Sequence, residues 1–356
     1  MSSYICLCGE TLINGASQTD ALMELKNICI KALTLDNLDE IRRIFLQAYT
    51  EIGFSDDILS AAVSDDLNHL LKSRSLERAK HYVRILISDM QNAGFNSKDD
   101  FNVKLWKGYS EIKTDSLWLL ERRRSDSGQK AWYWGNFVPQ IPRQMMLRYT
   151  KPGSWVLDPF CGSGTTLIEA ARMKRHALGI EINSEIYSKV RESLGNSHEN
   201  LDVHIVNADS INADFKSIMA EYNIDSFDLV MLHPPYWDII KFSDSPSDLS
   251  NAETLQDFLE MFTKVAKKSV DVVKAGGYIS LVIGDAYRKG EIIPLGFMCM
   301  DIISKMGMKT KGIIVKDMQN NRGKRNSENL WRYRALKSGF YIFKHEYVFV
   351  FMKPSK

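Results

Sequence analysis

The sequence has no apolar run long enough to span a bilayer, and its start, Met1-Ser-Ser-Tyr-Ile-Cys6, lacks the basic residues and apolar stretch of a secretory leader. A globular protein of the cytoplasm, with no membrane association, is therefore expected. Cysteine is sparse: Cys6, Cys8, Cys29, Cys161 and Cys299 are five in number and mostly far apart. That excludes a disulfide framework and a four-ligand zinc site, and no metal ligand set is expected. Charge of one sign is also missing, since the formal net charge is +2. Such a balance neither demands nor rules out a polyanionic partner, so any nucleic-acid contact has to come from local patches. What is plentiful is apolar material, 44% of 356 residues, enough for one main domain and a smaller one.

The smaller one comes first. Leu22, Leu25, Ile28, Cys29 and Ala32 share a helical face, and Ile41, Ile44, Phe45 and Ala48 repeat the pattern. So do Ile58, Leu59, Val63, Leu67, Leu70 and Leu71, and then Ala79, Val83, Leu86, Ile87 and Met90. Three or four short helices are expected over residues 1–100, most simply a structural or docking module. Between Gly94 and Lys130 the chain turns polar and irregular, and residues 101–130 read as a linker. Its Arg122-Arg-Arg124 run is more economically a solvated face than a phosphate contact.

The main domain, residues 131–356, opens on Trp132-Tyr-Trp-Gly-Asn-Phe-Val-Pro-Gln-Ile-Pro142. Its prolines impose an extended approach that can present Asn136 and Phe137 to a ligand, or simply form an aromatic cover. A helix from Arg143 to Tyr149 follows. Then comes Trp155-Val-Leu-Asp-Pro-Phe-Cys-Gly-Ser-Gly-Thr-Thr166, in which a strand breaks into an acidic, glycine-rich turn and helical periodicity resumes at Leu167. No lysine follows the glycines, so this is not a triphosphate loop, and the three spaced glycines of a dinucleotide loop are missing too. Asp158 at the head of the loop repels a diphosphate and suits a cationic or amino-bearing ligand, which favours S-adenosylmethionine over NAD. The strand His176–Ile182 places Glu181 about 20 residues on, where an acid accepts from a ribose diol. A third strand, Val203–Asp209, ends in a second acid suited to an adenine amino group. Further strands end at His233, run from Gly277 to Gly284, and close the chain at Gly312–Val315 and Glu346–Phe351. Strand and helix alternate, so an α/β fold with a mostly parallel sheet is predicted, with ligands at the carboxyl ends of its strands.

Asp158-Pro-Phe-Cys-Gly-Ser-Gly-Thr-Thr166 followed by His233-Pro-Pro-Tyr236 strongly resembles the S-adenosylmethionine-dependent DNA methyltransferases that modify exocyclic amino groups, the N4-cytosine and N6-adenine enzymes. The resemblance covers roughly Trp134 to Pro354. It implies a Rossmann-like domain in which Asp158, Cys161, Gly162 and Gly164 line the methionine end of the cofactor, Phe160 and Thr165 also bind it, and Phe137 covers it from the amino-terminal side. Glu181 and Ile182 would lie at its ribose and Asp209 beside its adenine. His233, Pro234, Pro235 and Tyr236 would form the catalytic turn. DNA follows as partner, with room for a separately encoded restriction endonuclease.

The chemistry of that turn can be reasoned independently. An exocyclic amine is a poor nucleophile because its lone pair is delocalised into the ring. Acceptors converging on its N–H groups localise the pair, and a base flipped out of the helix makes them reachable. The family's first position is usually Asp, Asn or Ser, and here it is His233; a neutral imidazole can accept, whereas a protonated one only donates. Tyr236 can stack on the base. Little chain follows Lys344, so base selection is expected from the helical region and from the loops Lys241–Ser247 and Lys316–Lys337. Trp237, Lys241, Arg322, Lys324, Arg325, Arg332 and Arg334 are the expected DNA contacts, basic residues with interleaved aromatics. Between cytosine N4 and adenine N6 the lean is slight and toward cytosine. An RNA amino-methyltransferase, and a catalytically silent nucleic-acid-binding relative, stay open as alternatives.

Overall fold

A computed structural model describes residues 18–51, 58–92, 101, 103–120, 137–195, 201–288, 290–318 and 328–355. The chain divides into two compact units, residues 1–111 and 112–356. In the first, four helices, α1 (Gln18–Leu33), α2 (Leu38–Glu51), α3 (Ile58–Leu71) and α4 (Leu76–Asn92), bury the apolar faces read from the sequence. Leu25, Cys29, Ile41, Phe45, Leu67, Leu70, Val83 and Leu86 are at most 1% exposed. A charged cluster sits beside this core: Lys107 forms ion pairs with the fully buried Asp66 and with Asp65. Burial and the neighbouring Asp66 push the Asp89 carboxyl up to about 6.

The second unit is built on one eight-stranded sheet. Its strands are β1 (Leu117–Trp118), β2 (Trp155–Asp158), β3 (His176–Glu181), β4 (Val203–Asn207), β5 (Phe227–Leu232), β6 (Val273–Ile283), β9 (Lys309–Asp317) and β10 (His345–Met352). A separate antiparallel pair, β7 (Ala286–Arg288) and β8 (Glu291–Ile293), follows β6. The spatial order is β1-β9-β10-β6-β5-β2-β3-β4. Among the described residues of this sheet, the β10 pairings with β6 and β9 are antiparallel and the others run parallel. The helices are α5 (Gln140–Tyr149), α6 (Thr165–Arg172), α7 (Ser184–Leu194), α8 (Phe215–Glu221), α9 (Leu255–Val272), α10 (Leu295–Lys305) and α11 (Glu328–Ser338). Two apolar layers form the core. One gathers Phe227, Val230, Leu232 and Phe349 with Phe258 and Phe262 of α9 and Leu295 of α10. The other gathers Val156, Leu229, Met231 and Val348 with Ile141 and Met145 of α5 and Leu167 of α6. Buried on both faces, the central strands read as continuous apolar runs, as parallel strands do. The sequence reading of an α/β, Rossmann-like domain with a mostly parallel sheet, plus a helical amino-terminal region, is what the chain adopts.

Besides Pro139–Pro142, expected as an extended approach but folded as the N-cap (φ −56°, ψ −24°) and first turn of α5, two segments differ from expectation. Residues 103–108, expected in a linker, form a 3₁₀ turn of the first unit, while Leu117 and Trp118 pair with Val315 and Lys316 of β9. A two-residue edge strand has too few side chains to show alternation in sequence. The second is Lys316–Lys337, expected as a loop: it begins inside β9 and ends in the helix α11. That helix lacks a one-sided apolar face, and periodicity is the signal by which helices are read.

Candidate active site

Counted from β2, the strands β4, β3, β2, β5 and β6 stand in the order 3-2-1-4-5, so the winding reverses between β2 and β5. The crevice outside the carboxyl ends at that switch is where doubly wound domains bind ligands. The glycine turn enters it directly from β2. Gly164 has φ +78°, a left-handed conformation open to glycine, and a Cβ there would also lie 2.7 Å from Val190 of α7. At Gly179 of β3 a Cβ would stand 2.6 Å from the Cys161 sulfur, so the loop lies flat against the next strand only because that side chain is absent.

Acids organise the turn. Asp158 is 1% exposed; its Oδ1 accepts from the Phe160 N–H at 3.0 Å and its Oδ2 from the Thr166 hydroxyl at 2.5 Å. Sequence reasoning aimed this carboxylate at the ligand, and the fold uses it first to shape the loop. Burial pushes it up to about 6 despite the two donors. Glu181, at the end of β3, accepts from Gly162 N–H at 2.8 Å through Oε2 and from Asn183 N–H at 2.9 Å through Oε1. Burial raises it to about 7; the two N–H donors oppose this, while Asp158 and Asp248 add to it. Each Glu181 oxygen keeps a lone pair for a further donor. Phe160 and Ile182 are half-buried at the rim, and Cys161 is buried, its thiol raised well above its usual value by burial and the two acids. Thr165 is buried at the start of α6. Asp209 lies two residues past β4, half-buried, accepting from Ile211 N–H at 2.8 Å and from Asn212 Nδ2 at 2.5 Å.

The second motif leaves β5. His233 is half-buried on the sheet face that carries Phe137, whose ring meets the imidazole edge-on at 4.6 Å. Burial lowers His233 from 6.5 to about 4, Glu346 pulling the other way and Lys316 adding to the fall. The imidazole is thus neutral over the physiological range, with one of its two nitrogens able to accept. Pro234 is buried, Pro235 half-buried, and the Tyr236 hydroxyl donates to Glu346 Oε2 at 2.7 Å. Gly284 leaves room for the Tyr236 ring, because a Cβ there would be 3.0 Å from Cε2. Lys316 Nζ donates to the other Glu346 oxygen at 2.8 Å, and both residues are nearly buried. Sequence reasoning missed this pair. The only signal was a charge at a position of each apolar strand, Lys316↔Glu346 being cross-strand partners.

Among the expected DNA contacts the outcome is mixed. Trp237 is a correction: it is 4% exposed, its indole N–H donates to the Ala252 carbonyl at 2.9 Å, and the Arg288 guanidinium lies over its ring at 4.4 Å. It has a positive φ of 54°, and its side chain packs in the core. Lys241 is exposed and paired with Asp244 at 3.1 Å. Arg332 and Arg334 are exposed on α11, Arg334 over the Trp331 ring at 5.4 Å. Asn136, Arg322, Lys324 and Arg325 lie outside the described residues.

The residues of the crevice fit a cationic nucleoside. Ser163 Oγ, between the two glycines, is buried with no hydrogen-bond partner among the described residues, so its hydrogen-bonding capacity is left for a ligand of the loop. Two buried acids disfavour a diphosphate and favour hydroxyl and ammonium donors. A doubly wound sheet with this acid-lined switch-point crevice and a His-Pro-Pro-Tyr turn on the next strand fits an S-adenosylmethionine-dependent methyltransferase domain. The sequence profile of the DNA methylase family matches residues 73–192 and 227–356, and the chain belongs to that family. The profile described as an RMKL-like methyltransferase domain also matches, over residues 143–282. The cofactor is S-adenosylmethionine.

Among curated relatives, a tRNA (guanine(10)-N2)-dimethyltransferase of Methanocaldococcus jannaschii is 32% identical over 110 residues, 30% of this chain and 31% of that protein. The Type II methyltransferase M.MjaII of the same organism is 39% identical over 111 residues, 30% of this chain and 21% of that protein. The matched segments thus span about a third or less of these relatives' lengths. A methyltransferase structure from Pyrococcus furiosus superposes with a TM-score of 0.38 at 14% identity, covering 62% of this chain and 84% of that one. Among the described residues no helix is long and apolar enough to cross a membrane.

Proposed function

We propose that the protein methylates an exocyclic amino group of a base in DNA, cytosine N4 ahead of adenine N6. One observation carries the reading: a neutral imidazole, His233, stands at the head of a Pro-Pro-Tyr turn beside the cofactor crevice. S-Adenosylmethionine, when bound, supplies a methyl group on a sulfonium. The chain's own residues prepare the acceptor. The lone pair of His233 and the carbonyl of Pro234 accept the two amine hydrogens, drawing the nitrogen lone pair out of the ring; Pro234 and Pro235 keep those acceptors fixed. Phe137 packs edge-on against the imidazole and helps hold it in place. Glu181 takes the ribose hydroxyls on its remaining lone pairs. An amine paired inside a duplex reaches none of these groups, so the base is flipped out.

The family's description, DNA methylase, over most of the chain supports DNA. So does α11, where Arg332, Tyr333 and Arg334 stand exposed together, suited to phosphates and bases. The likeness to a tRNA N2-dimethyltransferase supports the second reading, an amine of RNA. The cytosine preference rests on the Pro-Pro-Tyr-Trp turn with no acid before it. Incubation with labelled S-adenosylmethionine and either duplex DNA or total RNA, followed by nucleoside analysis, tests the choice. N4-methylcytosine in DNA is expected, N6-methyladenine would correct the base alone, and label confined to RNA would replace the reading.

A further inference from the structure

We infer that Glu346, acting through Tyr236, fixes the tautomer of His233 so that Nδ1 is the nitrogen that accepts the amine. The inference rests on the role proposed for His233. Glu346 and Lys316 face each other across β10 and β9, 5% and 8% exposed. A buried ion pair is a costly way to hold two strands together, since an apolar pair of similar volume serves the fold as well or better. Its geometry gives it another use. With Lys316 Nζ on Oε1, Glu346 is an acceptor on both oxygens, and Oε2 receives the Tyr236 O–H at 2.7 Å. Burial and Glu346 hold the Tyr236 hydroxyl well above its usual range, so it keeps the proton that it donates.

The phenol oxygen therefore has only lone pairs left to offer. His233 Nε2 lies 3.5 Å from it, at the long end of hydrogen bonding, as catalytic contacts often are before substrate arrives. A partner that can only accept selects the imidazole with its proton on Nε2. Nδ1 is then the nitrogen with the free lone pair. Donation converges on Glu346, from Lys316 on one side and from His233 through Tyr236 on the other. Lys316 sets this direction, because without that cation nothing obliges Glu346 to be the acceptor. Glu346 and Lys316 are positioning residues, since neither needs to touch the base.

The tautomer can be read directly from the ¹⁵N and ¹H shifts of the His233 ring at neutral pH, assigned by loss of the signal in His233→Gln. The expected wild-type ring is protonated at Nε2 with a pyridine-type Nδ1. Tyr236→Phe, which leaves the ion pair intact, and Glu346→Gln should both shift the ring toward the other tautomer. Methylation should fall roughly 10²-fold in each single variant, and no further in the double variant, with the KM for S-adenosylmethionine little changed. A wild-type ring protonated at Nδ1, or a tautomer unmoved by both substitutions, overturns the inference. The ring measurement needs no nucleic acid: an Nε2-protonated ring that responds to both substitutions, in a protein that methylates nothing, would refute the proposed reaction and leave the tautomer assignment standing.

Discussion

Gly179→Ala tests how the cofactor loop is held against the sheet. The new methyl group would lie 2.6 Å from the Cys161 sulfur, 2.9 Å from Leu167 Cδ1 and 3.1 Å from Cys161 Cβ. The Cys161 backbone is anchored by its N–H, which donates to the Ile180 carbonyl at 3.0 Å, so even with the sulfur rotated away its Cβ cannot retreat without breaking the loop's seat on β3. Overpacking of this kind costs about 1–3 kcal/mol. The entropy that alanine saves in the unfolded chain returns about 0.5–1 kcal/mol. A net loss of roughly 1–2 kcal/mol lowers Tm by roughly 2–8 °C in a unit of this size. Because the displaced atoms belong to the turn itself, the Kd for S-adenosylmethionine should rise as well. Cys161→Ala removes the worst clash, so the double variant should be less destabilised than the sum of the singles by at least about 0.5 kcal/mol. Urea titrations of the four proteins and calorimetric titration with the cofactor measure both effects. Strict additivity, or a Gly179→Ala protein with unchanged stability and cofactor affinity, would refute the packing argument.

Other perturbations follow from the same geometry. His233 is lowered from 6.5 to about 4, so the unfolded chain binds the proton first: stability should fall as pH drops from about 6.5 to about 4, by about 3 kcal/mol for this group. His233→Gln should flatten that limb of a stability–pH curve, and an unchanged limb would reject the assignment. Glu181 is raised to about 7 and so works in the opposite direction, its contribution falling as pH rises from 4.5 to about 7. Ribose hydroxyls prefer the ionised carboxylate, so cofactor affinity should tighten as pH rises through 7 and lose that dependence in Glu181→Gln, as titration at several pH values would show. Thr166→Val leaves Asp158 Oδ2 short of its donor and should cost about 1–3 kcal/mol in urea melts. Replacing Arg332 and Arg334 by alanine should weaken DNA binding and reduce its salt slope by roughly 0.9 for each phosphate no longer neutralised; an unaltered slope would remove α11 from the interface.

Much of this is legible in sequence because it is local. The turn from Asp158 to Thr166 carries its own strand, its own break and its own helix start, and Glu181 announces itself by distance from the glycines. His233 likewise stands out by standing where an acid or amide is usual. What escapes depends on pairing across the sheet. Lys316 and Glu346 are 30 residues apart and meet only through the β9–β10 register, which no residue type near either one specifies. Trp237 departs from expectation for a related reason: adjacency to the Pro-Pro-Tyr turn does not say which way a residue faces, and here the indole packs in the core. The charged and aromatic residues of α11 follow no apolar stripe and so give no helical signal, and the edge strand β1 is two residues long.

The proposed reaction turns on a neutral histidine at the head of the Pro-Pro-Tyr turn, which makes a base amine of DNA nucleophilic. It is decided by offering labelled S-adenosylmethionine and duplex DNA to the wild-type protein and to His233→Ala under single-turnover conditions, with cofactor and DNA binding measured in parallel. The expected result is label in a base amine with the wild-type protein, and a loss of roughly 10²-fold or more in the variant while both ligands still bind. Undiminished labelling by His233→Ala, or no labelling of DNA by a wild-type protein that binds both ligands, would contradict it.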